Sequence, residues 1–241
     1  MIREQYDFDQ LLDQLNEVNE WLASLGYIND HRLRQYCRNV RRVLDANKIG
    51  TFERLRASFG AKEERDFFWS VIDGEELCQA LNRLRRTEGL DMRAQLNRML
   101  KGPVDVSEER AATSSNDPRN IAFELIMAGR LAASGFRPHL DKGPDIQFEF
   151  AGLRVALQCK RLFSRKGLEK RVNEAASQLD LAVDADLKLA AISVSRLLTQ
   201  GNPHALPALP SRNTIAPYLE DRYQPVIDTV LSMHGLSNRI H

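Results

Sequence analysis

Apolar residues in the first hundred positions recur every three or four residues, and nothing there alternates as a strand would. Tyr6, Phe8, Leu11, Leu12, Leu15, Val18, Leu22 and Leu25 form one helical stripe. A second stripe, Leu33, Tyr36, Cys37, Val40 and Leu44, follows a cap expected at Asn29 or Asp30. Phe52, Leu55 and Phe59 make a third. Phe67, Phe68, Val71, Ile72, Leu77, Leu81 and Leu84 make a fourth, with Gly74 as a break. Residues 1–105 are therefore expected to be an all-α domain, with Phe67-Phe68-Trp69 in its core or on a surface for a partner.

The pattern changes after Gly102-Pro103. A polar stretch, 106–117, reads as a linker. Asp117 and Pro118 then suit a helix start, as cap and first residue, and Gly135 suits its stop near Ser134. Three strand-like stretches follow, Phe136–Leu140, Ile146–Phe150 and Leu153–Arg161. Ala151-Gly152 is a tight hairpin turn between the last two. An amphipathic helix over Arg165–Val183 and a strand over Leu187–Val194 complete an α/β core spanning 118–199. The remainder, 200–241, carries Pro203, Pro207, Pro210 and Pro217 and reads as a Pro-rich arm. A last helix is expected over Tyr218–Met233.

Composition narrows the class more than the chemistry. A formal charge of +1 with 28% charged residues is ordinary for a globular chain, so any nucleic-acid argument must rest on local charge. Cys37, Cys78 and Cys159 are too far apart for a zinc site and fit a reducing compartment. The charged N-terminus and the lack of a long apolar run predict a cytoplasmic protein without a membrane anchor.

Candidate chemistry lies at the hairpin. Its geometry brings the start of the first strand beside the end of the second, so Asp145 is expected near Gln158 and Lys160. These two share a strand face because they are two residues apart. An acid, an amide and an amine at one sheet end suit phosphodiester hydrolysis, with oxygen ligands for a divalent cation and a lysine for the developing charge. Seven basic residues between Leu153 and Asn173 (Arg154, Lys160, Arg161, Arg165, Lys166, Lys170, Arg171) face one acid, Glu169, and could follow a phosphate backbone. A second basic group, Arg32, Arg34, Arg38, Arg41 and Arg42, reads first as a solvated helix face and second as a DNA contact.

Helix, three strands, helix and strand, with Pro144-Asp145 and Gln158-Cys159-Lys160, resemble the PD-(D/E)xK nuclease superfamily. The string LQCKR, Leu157–Arg161, is similar to the Gln-x-Lys variant of Mrr-type restriction endonucleases. The resemblance covers about 80 of the 241 residues. It implies a restriction-endonuclease-like fold and a Mg²⁺- or Mn²⁺-dependent deoxyribonuclease, acting as an endonuclease in restriction or phage defence. Asp145, Gln158 and Glu124 would hold the metal and Lys160 would be the catalytic lysine. Arg161, Arg165, Lys166, Lys170, Arg171 and Gln178 would contact nucleic acid, expected to be DNA. The helical domain would serve recognition, homodimerisation or docking to a protein partner. Because glutamine is neutral, the alternative is a degenerate nuclease-fold module that binds nucleic acid or a protein within a larger complex.

Overall fold

Leu11, Leu15, Val18 and Leu22 are buried along one side of the first helix, α1 (Phe8–Ser24), as their spacing requires. The computed structural model describes residues 8–105, 108–109, 117–140, 143–162 and 167–193. The arm and helix expected over 200–241, together with Arg165 and Lys166, lie outside these residues. Four more helices follow α1: α2 (Arg32–Lys48), α3 (Phe52–Ser58), α4 (Ala61–Leu84) and α5 (Arg93–Met99). Then come α6 (Asp117–Ala133), β1 (Ile146–Phe150), β2 (Leu153–Arg161), α7 (Leu168–Asp180) and β3 (Leu187–Ser193). The chain is thus α/β, helical in its first half, with a three-stranded mixed sheet among the described residues. β2 is central, antiparallel to β1 and parallel to β3. No helix among the described residues is long and apolar enough to cross a membrane.

Several expectations are corrected. The cap of α2 is His31, whose Nδ1 accepts the Arg34 N–H at 3.4 Å. Asp30 is instead paired with Arg38. Gly74 does not break α4. A lone helical glycine costs only about 1 kcal/mol against alanine, and this one is buried where a Cβ would touch Leu15 and Tyr36 at 3.6 Å. The strand expected over Phe136–Leu140 is reduced to one bridge, His139 to Gln147, with hydrogen bonds of 2.7 and 2.9 Å. The inside–outside alternation is present there, but Pro138 has no N–H to give a ladder, which confines the segment to the sheet edge. The helix expected from Arg165 is described from Leu168 and ends at Asp180, not Val183.

The stop signal of α6 and the turn after β1 behave as read, while α6 takes in Asp117, read as its cap, as its first residue. Gly135, at φ 87°, ends α6 with two bonds, Phe136 N–H to the Leu131 carbonyl and Gly135 N–H to the Ala132 carbonyl, both 3.1 Å. Ala151 and Gly152 both have positive φ, 50° and 79°, and this two-residue turn sets the β1–β2 register.

The helical half and the sheet share one buried cluster running from Leu11 of α1 to Cys159 of β2. Val155, Leu157 and Cys159 contribute to it, so that face of β2 meets α6. Leu162 packs with Leu168 and Val172 of α7, and Ile192 joins them, so α7 covers the other face. Helices α4 and α6 approach so closely that a Cβ on Gly129 would lie 2.6 Å from Ala80 Cα. The stretch read as a linker is anchored where it is described. Glu108 pairs with Lys62 and Glu109 is buried on Arg119 at 2.6 Å, just past Asp105, which is buried on Arg65 at 2.7 Å. Arg119 also pairs with Asp73, donates to the Pro103 and Val104 carbonyls, and lies over the Trp69 ring.

Removing Arg119 would leave two acids facing a low-dielectric interior without their cation. Arg119→Met is expected to lower unfolding stability by roughly 3–5 kcal/mol, read by urea denaturation. A change below about 1 kcal/mol would show that this network contributes little.

Candidate functional site

Asp145 immediately precedes β1, and the register that pairs Ile146 with Leu157 carries on to set Asp145 opposite Gln158. The carboxylate accepts at one oxygen, Oδ2, from both the Gln158 side-chain amide and the Cys159 backbone N–H, the latter at 2.7 Å. Gln158 is 1% exposed, and its Oε1 is buried without a hydrogen-bond partner.

From the other side α6 presents a polar stripe, Asp117, Asn120 and Glu124, spaced three and four residues apart and so on one face. Its apolar stripe, Ile121, Leu125 and Ala128, enters the core. All three polar residues line an open cleft of about 640 Å³. Asp145, Lys160, Arg171 and Gln178 line it too, and so do Gln95 and Arg98 from α5. Arg98 holds Asp117 with two bonds, Nε to Oδ2 at 2.9 Å and Nη2 to Oδ1 at 2.5 Å. Gln95 donates to the Leu140 carbonyl at 3.2 Å, tying α5 to the strand-side rim.

Electrostatics in the cleft are unbalanced. Burial, then the charge of Asp145, pushes the Glu124 carboxyl up to about 8, although Arg98 and Lys160 pull the other way. Burial first and the same two acids after it raise the Cys159 thiol, so it is no thiolate at neutral pH. The Lys160 amine has no hydrogen-bond or ion-pair partner among the described residues, although its backbone is paired with β3.

The oxygen set can be weighed against a metal. Asn120 Oδ1 and Gln158 Oε1 are both buried without a donor, beside two carboxylates. Four oxygen donors with too few N–H groups suit a hard cation such as Mg²⁺ or Mn²⁺ in kind. They do not make a closed cage: among the described residues no three His, Cys, Asp or Glu side chains are gathered tightly enough to hold an ion. Water and a substrate phosphate would have to complete the shell, and the Gln158 amide would have to turn its oxygen inward.

Of the residues singled out in the sequence, Asp145, Lys160 and Glu124 come together at the cleft, and Arg171 and Gln178 line it; Gln158 is not in the lining but buried behind Asp145, to which its amide donates. Arg161 also reaches its lining, but its side chain is 9% exposed and lies 3.6 Å from Glu109. It is held in the interior and is not on an open phosphate-binding wall. Burial accordingly lowers its pKa from the usual arginine range. Lys170 is exposed, near Glu174, and outside the cleft; Arg171 shares Glu174 at 2.7 Å. Glu149 is exposed and lines a different hollow, with His139. Asn120, Gln95 and Arg98 were missed by the sequence reading. Only Asn120 carried a signal, its place one helical turn before Glu124.

No protein-family model matches this chain, and neither the curated proteins nor the solved structures yield a match.

The raised Glu124 pKa has a signed consequence. The unfolded chain ionises near 4.5 and the folded one near 8, so stability is greatest below about 4.5 and is lost as pH rises through 8. In metal-free buffer Glu124→Gln is expected to gain on wild type across that window, by roughly 1–3 kcal/mol at its upper end, because the open cleft screens part of the effect. Thermal unfolding at pH 4.5 and pH 8.5 checks this; an equal difference at both pH values would refute it.

Proposed function

We propose that the chain is a metal-dependent nuclease of the PD-(D/E)xK kind that cleaves DNA phosphodiester bonds internally. The observation that carries the reading is the meeting of Glu124, Asp145 and Lys160 in one cleft, with the donorless Asn120 oxygen beside them and that of Gln158 buried behind Asp145. The order α6, the His139 bridge, β1, β2, α7, β3 supports a restriction-endonuclease-like core. A role in restriction or phage defence rests on the resemblance alone, which is a weak guide to function.

Glu124, Asp145 and the Gln158 carbonyl would hold Mg²⁺ or Mn²⁺, which when bound would offset phosphate charge and ease ionisation of a water. The residues of the chain divide the remaining work. The Lys160 amine, free of other partners among the described residues, can donate to the phosphate oxygens as charge develops on them, or hold the attacking water in line. Arg171 and Gln178 would receive the flanking backbone from α7. Arg98, fixed by Asp117, sets the opposite wall. The lining of the cleft by α5 makes the helical half part of substrate positioning.

One observation favours a second reading, a binding module without hydrolysis. The Gln158 amide donates to the same Asp145 carboxylate that would have to bind the ion. The two readings separate in one assay, nicking and linearisation of supercoiled plasmid with Mg²⁺ or Mn²⁺. Wild type is expected to cut, while Asp145→Ala and Lys160→Ala bind DNA but cut about 100-fold or more slowly. Wild-type protein that binds nucleic acid yet leaves plasmid, single-stranded DNA and RNA intact in both metals would favour the module.

A further inference from the structure

The arginine group noted near residue 32 is split by the fold. Arg32 is 1% exposed and turned into the core, over the Tyr36 ring. Arg38, Arg41 and Arg42 stand on the open side of α2, and Arg54 from α3 joins them around a shallow saddle of about 690 Å³. All four are exposed. The saddle holds a single carboxylate, Asp45, and shares no residue with the cleft. Between Arg34 and Arg54 six basic residues meet two acidic ones; this local surplus of +4 leaves the rest of the chain at −3. Arg38 is paired with Asp30 and Lys48 with Asp9. Arg41 reaches only neutral partners, Asn16 at 2.8 Å and the Cys37 Sγ at 3.9 Å, and Arg42 lies over the Phe59 ring at 5.2 Å. Among the described residues no carboxylate lies within ion-pair distance of Arg41, Arg42 or Arg54.

We infer that this face of α2 and α3 is a second nucleic-acid contact surface, which grips the phosphate backbone at a place apart from the cleft. Like-charged exposed arginines without counter-ions repel one another, and a polyanion relieves that repulsion while releasing its own condensed ions. Guanidinium groups suit phosphate better than ammonium does, because their planar fork can donate two parallel bonds. A lipid surface fits less well. Membrane-lying helices need a broad apolar face, whereas the large exposed aliphatic side chain in this lining is Ile49 alone. The surface would let the helical half hold the substrate while the cleft acts on it. The inference rests on the reading of the cleft as a nucleic-acid site, but it is tested by binding alone.

The test titrates the full chain with fluorescein-labelled duplex and single-stranded DNA in EDTA, where no metal-dependent cleavage occurs, over a range of salt. Arg42→Ala/Arg54→Ala is expected to bind roughly 10- to 60-fold more weakly in 0.1 M salt, with the slope of log K against log salt reduced by about 1.8. Arg42→Lys/Arg54→Lys should keep most of that slope. Because the titration is run in EDTA, loss of binding in the alanine variant stands whether or not the wild-type chain cuts plasmid in Mg²⁺, which separates this inference from the nuclease reading. Wild-type affinity and slope in the alanine variant would overturn the inference. So would binding to phosphatidylserine vesicles without binding to either DNA.

Discussion

Arg119 is the point on which the arrangement turns. Its guanidinium, 3% exposed, joins Asp73 of α4, Glu109, and the carbonyls of Pro103 and Val104, from the first turn of α6. Glu109 in turn lies near Arg161 at the end of β2. Charges so buried are expensive to desolvate and stay only because each has partners. A network of this kind adds little net stability over an apolar core, but it tolerates few alternatives. It locks the helical half, the connecting stretch, α6 and β2 into one register. Asn120 and Glu124 are carried on the same helix, one and five residues further on, and Lys160 precedes Arg161 on its strand. The structural network and the candidate chemistry are therefore neighbours along the chain on both sides.

From that anchoring the cleft follows. α6 is two-faced, with Ile121, Leu125 and Ala128 in the core and Asp117, Asn120 and Glu124 toward the opening. β2, central in the sheet, has partners on both edges and cannot slide, so Gln158 and Lys160 are held where the β1 hairpin ends. The cost is electrostatic: two carboxylates share a partly dry space, and one of them, Glu124, keeps its proton to about pH 8. A cleft that penalises the ionisation of Glu124 in this way makes the fold less stable at high pH than at low.

How far the sequence foretold this depends on the range of the interactions. The Asp145–Gln158 juxtaposition was legible because a two-residue turn at Ala151-Gly152 fixes register by counting. The helix bearing Glu124 was legible from the Asp-Pro start and the Gly135 stop. α5 was not, since Leu96, Met99 and Leu100 make too short a stripe to stand out, and with it went Gln95 and Arg98. The burial of Arg161 was hidden because its partner, Glu109, lies some fifty residues away in a stretch that reads as a polar spacer. The cap at His31 was missed because the stronger capping residues, Asn29 and Asp30, stand just before it. The basic saddle was half visible: periodicity grouped the arginines of α2, but only packing could sink Arg32 and bring in Arg54.

If Glu124 and Asp145 share a cation, as proposed above, titration calorimetry with Mn²⁺ will detect it. A single Mn²⁺ should bind per wild-type chain at neutral pH, with binding lost or much weakened in Glu124→Gln and in Asp145→Ala but largely kept in Lys160→Ala. No binding by the wild-type chain, or equal binding by all four proteins, would contradict it.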